Sequence, residues 1–278
     1  MKIAFIGDSF CAYPFFESNR PSSASLASDG TSIRQDEYRP YQYLVAQEYD
    51  AEIIAIGRAS GCLYHSYEDL LKVVDEVDYI VFCITDPHRL VNRHKLGLNH
   101  SSVKQYATTG RDFSSLSVCG ENTEYFTSLD LEDKPSPPKK LLDNIYNAAN
   151  NYFEFLYFDD FHEFVQIRIL EQLDMLMLQM RIRKKKKCIW FPCFDYSMQG
   201  YIPKSGPIAD TVLITISDAE LKKLHPRPRG AFDITDPRLN HFNEENNRNM
   251  ARLIIDIIKK DNFSPYEIKM EDYFEVLK

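Results

Sequence analysis

Residues 2–11 read KIAFIGDSFC, and the way this stretch is read decides how the rest of the chain is organised. Ile3 to Ile6 are apolar, with β-branched and aromatic members, which suits a short strand buried within a sheet. The run stops at Gly7-Asp8-Ser9, three residues that each favour a turn. A buried strand that ends in a small, hydrogen-bonding turn opens a parallel α/β sheet if helices and further buried strands follow it.

Working outward, they do follow. Tyr41 to Tyr49 has helical spacing, and Glu52 to Ile56 reads as a second strand that ends at Gly57. A helix over Tyr67 to Val77 would show an apolar face of Leu70, Leu71, Val73 and Val74. Asp78 to Thr85, DYIVFCIT, is the clearest buried strand of the chain. Three strand-then-helix units within the first ninety or so residues predict a parallel sheet with helices on both faces. Helical periodicity resumes near Lys140 and is strongest from Phe161 to Arg183, where Val165, Ile169, Leu173 and Leu176 recur. Met175, Met177 and Met180 on that segment read as core or packing surface, since methionine fills irregular gaps. Lys187 to Phe194 is a fourth strand, Thr211 to Ile216 (TVLITI) is expected as a fifth, and a short helix follows at Asp218 to Leu224. A last helix over Glu244 to Lys259 carries Met250, Leu253, Ile254 and Ile257 on one face. The expectation is one α/β domain over residues 1–278, three layers deep, around a central parallel sheet of about five strands. The stretch from about Val91 to Lys140 breaks the rhythm. It is polar and ends in Asp133-Lys134-Pro135-Ser136-Pro137-Pro138, so it reads as an insertion of about 91–140 that serves as a lid or partner surface.

Composition narrows the function. The chain has 278 residues, 44% hydrophobic and 27% charged, the make-up of a globular protein with a sizeable core. No apolar run approaches the ~20 residues that span a bilayer, and only IAFI separates Lys2 from Gly7, too little for a signal peptide. The expected compartment is the cytoplasm, with no membrane partner. A net charge of −8 argues against a nucleic-acid partner. The one basic run, Arg181 to Lys187, reads as the solvated end of a helix, where cations offset the helix dipole. The six cysteines (Cys11, Cys62, Cys83, Cys119, Cys188, Cys193) form no CxxC pair and no zinc-spaced cluster with histidine, so buried free thiols, no disulfide, no metal and no cofactor are expected. Self-association is open through the insertion or the Met-rich helix.

In an open parallel sheet, sites form where loops leave the carboxyl ends of the strands. Three loops qualify: Gly7-Asp8-Ser9-Phe10, Gly57-Arg58-Ala59-Ser60-Gly61 and Ile84-Thr85-Asp86-Pro87. A histidine in Asp236-Pro237-Arg238-Leu239-Asn240-His241-Phe242-Asn243 precedes the last helix. In block order this pattern resembles the SGNH (GDSL-type) hydrolase family, whose blocks are a Gly-Asp-Ser after strand one, a Gly after strand two, a Gly-x-Asn-Asp after strand three and an Asp-x-x-His before the last helix. Gly7-Asp8-Ser9 matches the first block, with Phe10 where Leu is commoner. Gly61 matches the second, with Gly57 as the lesser candidate. Thr85-Asp86 stands where the family has Asn-Asp, and Arg238 takes the usual place of the acid. The resemblance spans nearly the whole chain, with the insertion between the third and fourth blocks.

The resemblance implies a flavodoxin-like fold of SGNH type and a serine esterase working through an acyl-enzyme. Ser9 would be the nucleophile, His241 its base, and Asp236 the orienting acid, with Asp233 in reserve. The oxyanion hole would combine the N–H groups of Ser9 and Gly61 with the Thr85 hydroxyl, which is shorter than the family's Asn. A serine hydroxyl needs such a base at neutral pH, and a lost oxyanion donor costs ~10²–10³ in rate. Asp8 reads as holding the turn, and Arg58 and Arg89 as binders of an anionic substrate or as surface ion pairs. His88 and His225 read as loop residues. With no long apolar tract to form a lipid-binding lid, the expected substrate is a small molecule or glycan bearing a short, acetyl-type ester. Acyl transfer by the same Ser–His pair, and a non-catalytic binding or structural subunit of the same fold, are the alternatives.

Overall fold

The computed structural model describes residues 1–8, 10–11, 40–57, 61–92, 98–100, 103–104, 107, 139–194, 198, 200–224, 242 and 244–275. Six strands form one sheet: β1 (Lys2–Ile6), β2 (Glu52–Ala55), β3 (Tyr79–Ile84), β4 (Lys187–Pro192), β5 (Ile208–Ala209) and β6 (Glu267–Ile268). Their order is β2-β1-β3-β4-β5-β6, and every pairing is parallel. The described helices are α1 (Tyr41–Glu48), α2 (Leu63–Val73), α3 (Lys139–Phe155), α4 (Asp159–Lys184), α5 (Leu213–Leu224) and α6 (Glu244–Lys260). This is the flavodoxin-like, three-layer α/β/α arrangement, with the two-residue β6 as an added edge beyond the expected five strands.

The pleat of the strands divides the core. Successive side chains point to opposite faces, so Ile3 and Phe5 of β1 join Val81, Cys83, Ile189 and Phe191 beneath α1, α5 and α6. Ala4 and Ile6 join Ile80, Phe82, Ile84 and Trp190 beneath α2 and α4. Strands buried on both faces are continuous apolar runs rather than alternating ones, which is why KIAFI and YIVFCI were legible. The longest pairing is β3 with β4, in register from Tyr79↔Lys187 to Ile84↔Pro192.

Several expectations are corrected. The TVLITI segment is not a strand: β5 is Ile208–Ala209, and α5 begins at Leu213. Its β-branched residues suit a strand, but Leu213, Ile216 and Ser217 are buried at helical spacing against the core, and packing overrides propensity. α2 starts at Leu63, four residues before the expected Tyr67, so Leu63, Leu70 and Val73 face inward while Leu71 lies half exposed. On α4 the buried residues are Gln166, Leu170, Leu173, Asp174, Met177 and Met180, a line that keeps the expected Leu173 and otherwise runs one position on. Val165, Ile169 and Leu176 flank it. The methionines part company, for Met177 and Met180 lie in the core while Met175 is exposed.

The basic run behaves as expected. Arg181, Arg183 and Lys184 occupy the last turn of α4, and Lys185 closes it in the left-handed region at φ 56°. From the insertion, the described Leu98 and Val103 pack with Tyr146 and Ala149 of α3 in a small separate cluster, and Leu98 bridges Leu90. Residues 93–97, 101–102, 105–106 and 108–138 of this stretch, Cys119 among them, lie outside the described ones. The five described cysteines are buried free thiols. Among the described residues, no helix is long and apolar enough to cross a membrane.

Candidate active site

β1 sits between β2 and β3, so the chain adds strands first to one side of β1 and then to the other. Such a reversal opens a crevice at the carboxyl ends of the two central strands, where doubly wound sheets bind ligands. Gly7-Asp8 leaves β1 there, and Thr85-Asp86 leaves β3 beside it.

The turn after β1 is pressed onto its neighbours. Gly7 adopts φ +146°, and a Cβ on it would stand 2.2 Å from the carbonyl oxygen of Cys83. A Cβ on Gly57, at the end of β2, would stand 2.6 Å from the Cys11 Cβ and 2.8 Å from the Gly7 oxygen. Backbone therefore lies on backbone across all three strand ends, and only glycine permits that approach.

A buried polar network fills the crevice floor. Asp8 is fully buried, and its Oδ1 accepts the Phe10 N–H at 3.0 Å. Its Oδ2 faces the Arg89 guanidinium at 3.7 Å, an ion pair in which the Arg89 side chain is 9% exposed. Arg89 also donates from Nη1 to the Gly61 carbonyl at 2.8 Å and lies over the Phe194 ring at 5.1 Å. The Thr85 hydroxyl donates to the same Gly61 oxygen at 3.1 Å, while the Gln166 amide donates to the Thr85 carbonyl at 2.8 Å. Burial pushes the Asp8 carboxyl up. Arg89 chiefly, with the Phe10 N–H, Cys193 and Thr85, pulls it back only in part. Among the described residues, Asp8 Oδ2 and Arg89 Nε find no hydrogen-bond partner. Asp8 thus holds the turn, as expected, while Arg89 is a buried counter-charge rather than a surface group.

A second set of contacts ties the first loop to the start of the last helix. Phe10 and Phe242, both fully buried, meet at 5.4 Å between ring centroids. The Asn247 amide donates to the Phe242 carbonyl at 3.1 Å, and its oxygen accepts the Tyr41 N–H at 3.1 Å. The Tyr41 hydroxyl donates to the Phe10 carbonyl at 2.7 Å. One asparagine in the first turn of α6 and one tyrosine opening α1 therefore fix both segments.

Of the residues expected to act, Gly61 and Thr85 are brought together through their mutual hydrogen bond. Ser9, His241 and Asp236 lie outside the described residues, as do the reserve Asp233, Arg58, His94 and His225. His88 lies in the turn after β3, as expected, and its imidazole meets the Tyr157 hydroxyl. His162 pairs with the Tyr152 hydroxyl at 2.8 Å, and burial together with the nearby His88 lowers its pKa. His65 is buried beside the Cys62 thiol. Burial pushes Cys11, Cys83 and Cys193 well above the ordinary thiol range, so these thiols stay neutral and unreactive. Gln166 and Asn247 were not expected. Each carries a sequence signal, a polar residue on the apolar stripe of its helix (Leu170 and Leu173 after Gln166, Met250 and Ile254 after Asn247).

Beside this network, behind Arg89 and Cys62, lies a pocket of about 410 Å³ between the start of α2, the turn after β3, and helices α3 and α4. The crevice thus combines a backbone turn after β1, a buried charge pair beneath it and an apolar recess at its side. Searches against family models, curated proteins and solved structures found no match for this chain.

Proposed function

We propose that the chain is a serine hydrolase that cleaves carboxylic esters through an acyl-enzyme, with Ser9 as nucleophile, His241 as base and Asp236 orienting the imidazole. The observation that carries this reading is the ring contact between Phe10 and Phe242. Each follows one of the two essential residues directly in sequence, and consecutive Cα atoms are only about 3.8 Å apart. Two segments more than two hundred residues apart in the chain are therefore neighbours at the crevice where α/β sheets place their sites.

In this mechanism the Ser9 oxygen attacks the ester carbonyl while His241 takes its proton. Collapse of the tetrahedral intermediate breaks the bond to the alcohol, which leaves with the proton from His241. Water then attacks the acyl-serine, giving a proton to His241, and as the bond to Ser9 breaks His241 returns that proton to the serine oxygen and the carboxylic acid departs. Backbone N–H groups of Ser9 and Gly61 would hold the developing oxyanion. Arg89 fixes the Gly61 carbonyl, so its part is to position that peptide. The substrate class is a small-molecule or glycan ester met in the cytoplasm, with no cofactor required.

The Thr85 hydroxyl favours a second reading. Its single proton is claimed by the Gly61 carbonyl and the buried Asp8 carboxyl, which leaves the third oxyanion donor of the resembled family without a counterpart. A binding or structural subunit would tolerate this. Treatment with a fluorophosphonate probe separates the two readings. Adduct on Ser9 in the parent protein, absent in Ser9→Ala and His241→Ala, is the expected result. A folded protein that neither labels nor cleaves p-nitrophenyl acetate would establish the non-catalytic reading.

A further inference from the structure

The pocket beside the crevice has no role in the steps above, and its wall says what it would hold. Leu63, Leu90, Val91, Phe161, Val165 and Ile169 supply an apolar lining. Several polar groups at its edge are already engaged by the protein, whereas the Arg89 Nε has no hydrogen-bond partner among the described residues. The Gln166 amide donates to Thr85, Arg89 binds Gly61 and faces Asp8, and Tyr152 pairs with His162. A recess lined chiefly by apolar side chains offers a guest mainly apolar contact, and at about 410 Å³ it is of ligand size. Its inner wall includes Arg89, which lies 3.7 Å from Asp8, the residue bonded to Ser9.

We infer that this pocket receives the acyl group of the substrate and that the group is a medium-length aliphatic chain rather than acetyl. An acetyl group leaves nearly all of the recess empty, whereas each methylene placed against the wall adds about fourfold to binding. The inference rests on the ester-hydrolase reading for the word acyl, but the preference for an aliphatic chain follows from the pocket alone.

Two measurements keep the two ideas apart. In the first, kcat/KM is determined for p-nitrophenyl acetate, butyrate and octanoate. Octanoate should exceed acetate at least about tenfold. Val165→Trp, which fills the recess from α4, should lower the octanoate-to-acetate ratio by about tenfold or more. Phe161→Ala, at a half-exposed position where folding is not at risk, should lower it by a few fold. In the second, binding of octanamide and acetamide to the Ser9→Ala protein is followed by calorimetry, which needs no catalysis. Saturable binding of octanamide alone, lost in Val165→Trp/Ser9→Ala, supports the pocket. Ester cleavage that is flat or falling with chain length, together with no octanamide binding, overturns the inference and leaves the hydrolase reading standing. Octanamide binding with no cleavage of any ester overturns the hydrolase reading and keeps the pocket as an aliphatic-ligand site. Absence of both overturns both.

Discussion

Replacing Arg89 with methionine should destabilise the protein in a way that depends on pH, because among the described residues Arg89 is the counter-charge that faces Asp8. Asp8 is fully buried and Arg89 nearly so, at 3.7 Å. At an effective dielectric of about 20 that separation corresponds to an attraction of about 4.5 kcal/mol. It agrees with the ~3–5 kcal/mol lost when one member of a buried pair is removed. The hydrogen bond from Arg89 to Gly61 adds a loss of about 1.5–3 kcal/mol that does not depend on pH. The sign of the pH dependence follows from Asp8. Its folded pKa is already above the unfolded value, and removing Arg89 raises it further. A raised carboxyl disfavours folding only where it must ionise. The penalty is therefore complete above the folded pKa and disappears below the unfolded one, where Asp8 is protonated in both states. Urea titrations of the parent and Arg89→Met proteins at several values between pH 8 and pH 4.5 should show the difference in stability shrinking as the pH falls. Asp8→Asn/Arg89→Met should show a smaller, flat difference, since no carboxylate remains. A difference that stays constant from pH 8 to pH 4.5 in the single variant would refute the buried-pair argument.

Four further outcomes follow from other positions. Gly7→Ala, whose Cβ would strike the Cys83 carbonyl at 2.2 Å, should cost more than about 4 kcal/mol. Gly200→Ala, at φ +75° with open space around it, should cost only about 1–2 kcal/mol by the same denaturant titration. Ser205→Ala leaves the buried indole N–H of Trp190 without its acceptor, now at 3.1 Å. A loss of about 1–3 kcal/mol is expected, read from the emission of the chain's single tryptophan during unfolding. Asn247→Ala removes the bonds to Phe242 and Tyr41. Under the proposed mechanism it should slow labelling of Ser9 by the fluorophosphonate at least about tenfold, because small misplacements of a catalytic group are costly. A labelling rate equal to that of the parent would show that this asparagine does not position the histidine segment.

What the sequence determined by itself was the layer structure. Strands buried on both faces are apolar runs, so KIAFI, YIVFCI and KCIWFP declared themselves, and the loops after KIAFI, EIIAI and YIVFCI fell at one end of the sheet. The same residue chemistry marked Gly7, Asp8 and Thr85 as turn and site residues, because small and hydrogen-bonding side chains are rare at the end of a buried strand. Local pattern failed where two periods fit the same residues. Thr211 to Ile216 reads as a strand by its β-branched content, and only packing of Leu213 and Ile216 against the core makes its second half a helix. Apart from Leu173, the α4 stripe lies one residue on from the hydrophobic pattern because its true line begins with Gln166, a polar residue that hydrophobicity alone would never assign to the interior. Arg89 shows the deepest limit. A sequence cannot distinguish a guanidinium held over a surface from one buried against a carboxylate eighty-one residues earlier in the chain. That partnership exists only because β1 and β3 are neighbours in the sheet, and the meeting of Phe10 with Phe242 depends on α6 folding back beside α1. Long-range contacts of this kind are chosen by the whole packing arrangement, and it is they that turn separate loops into one crevice.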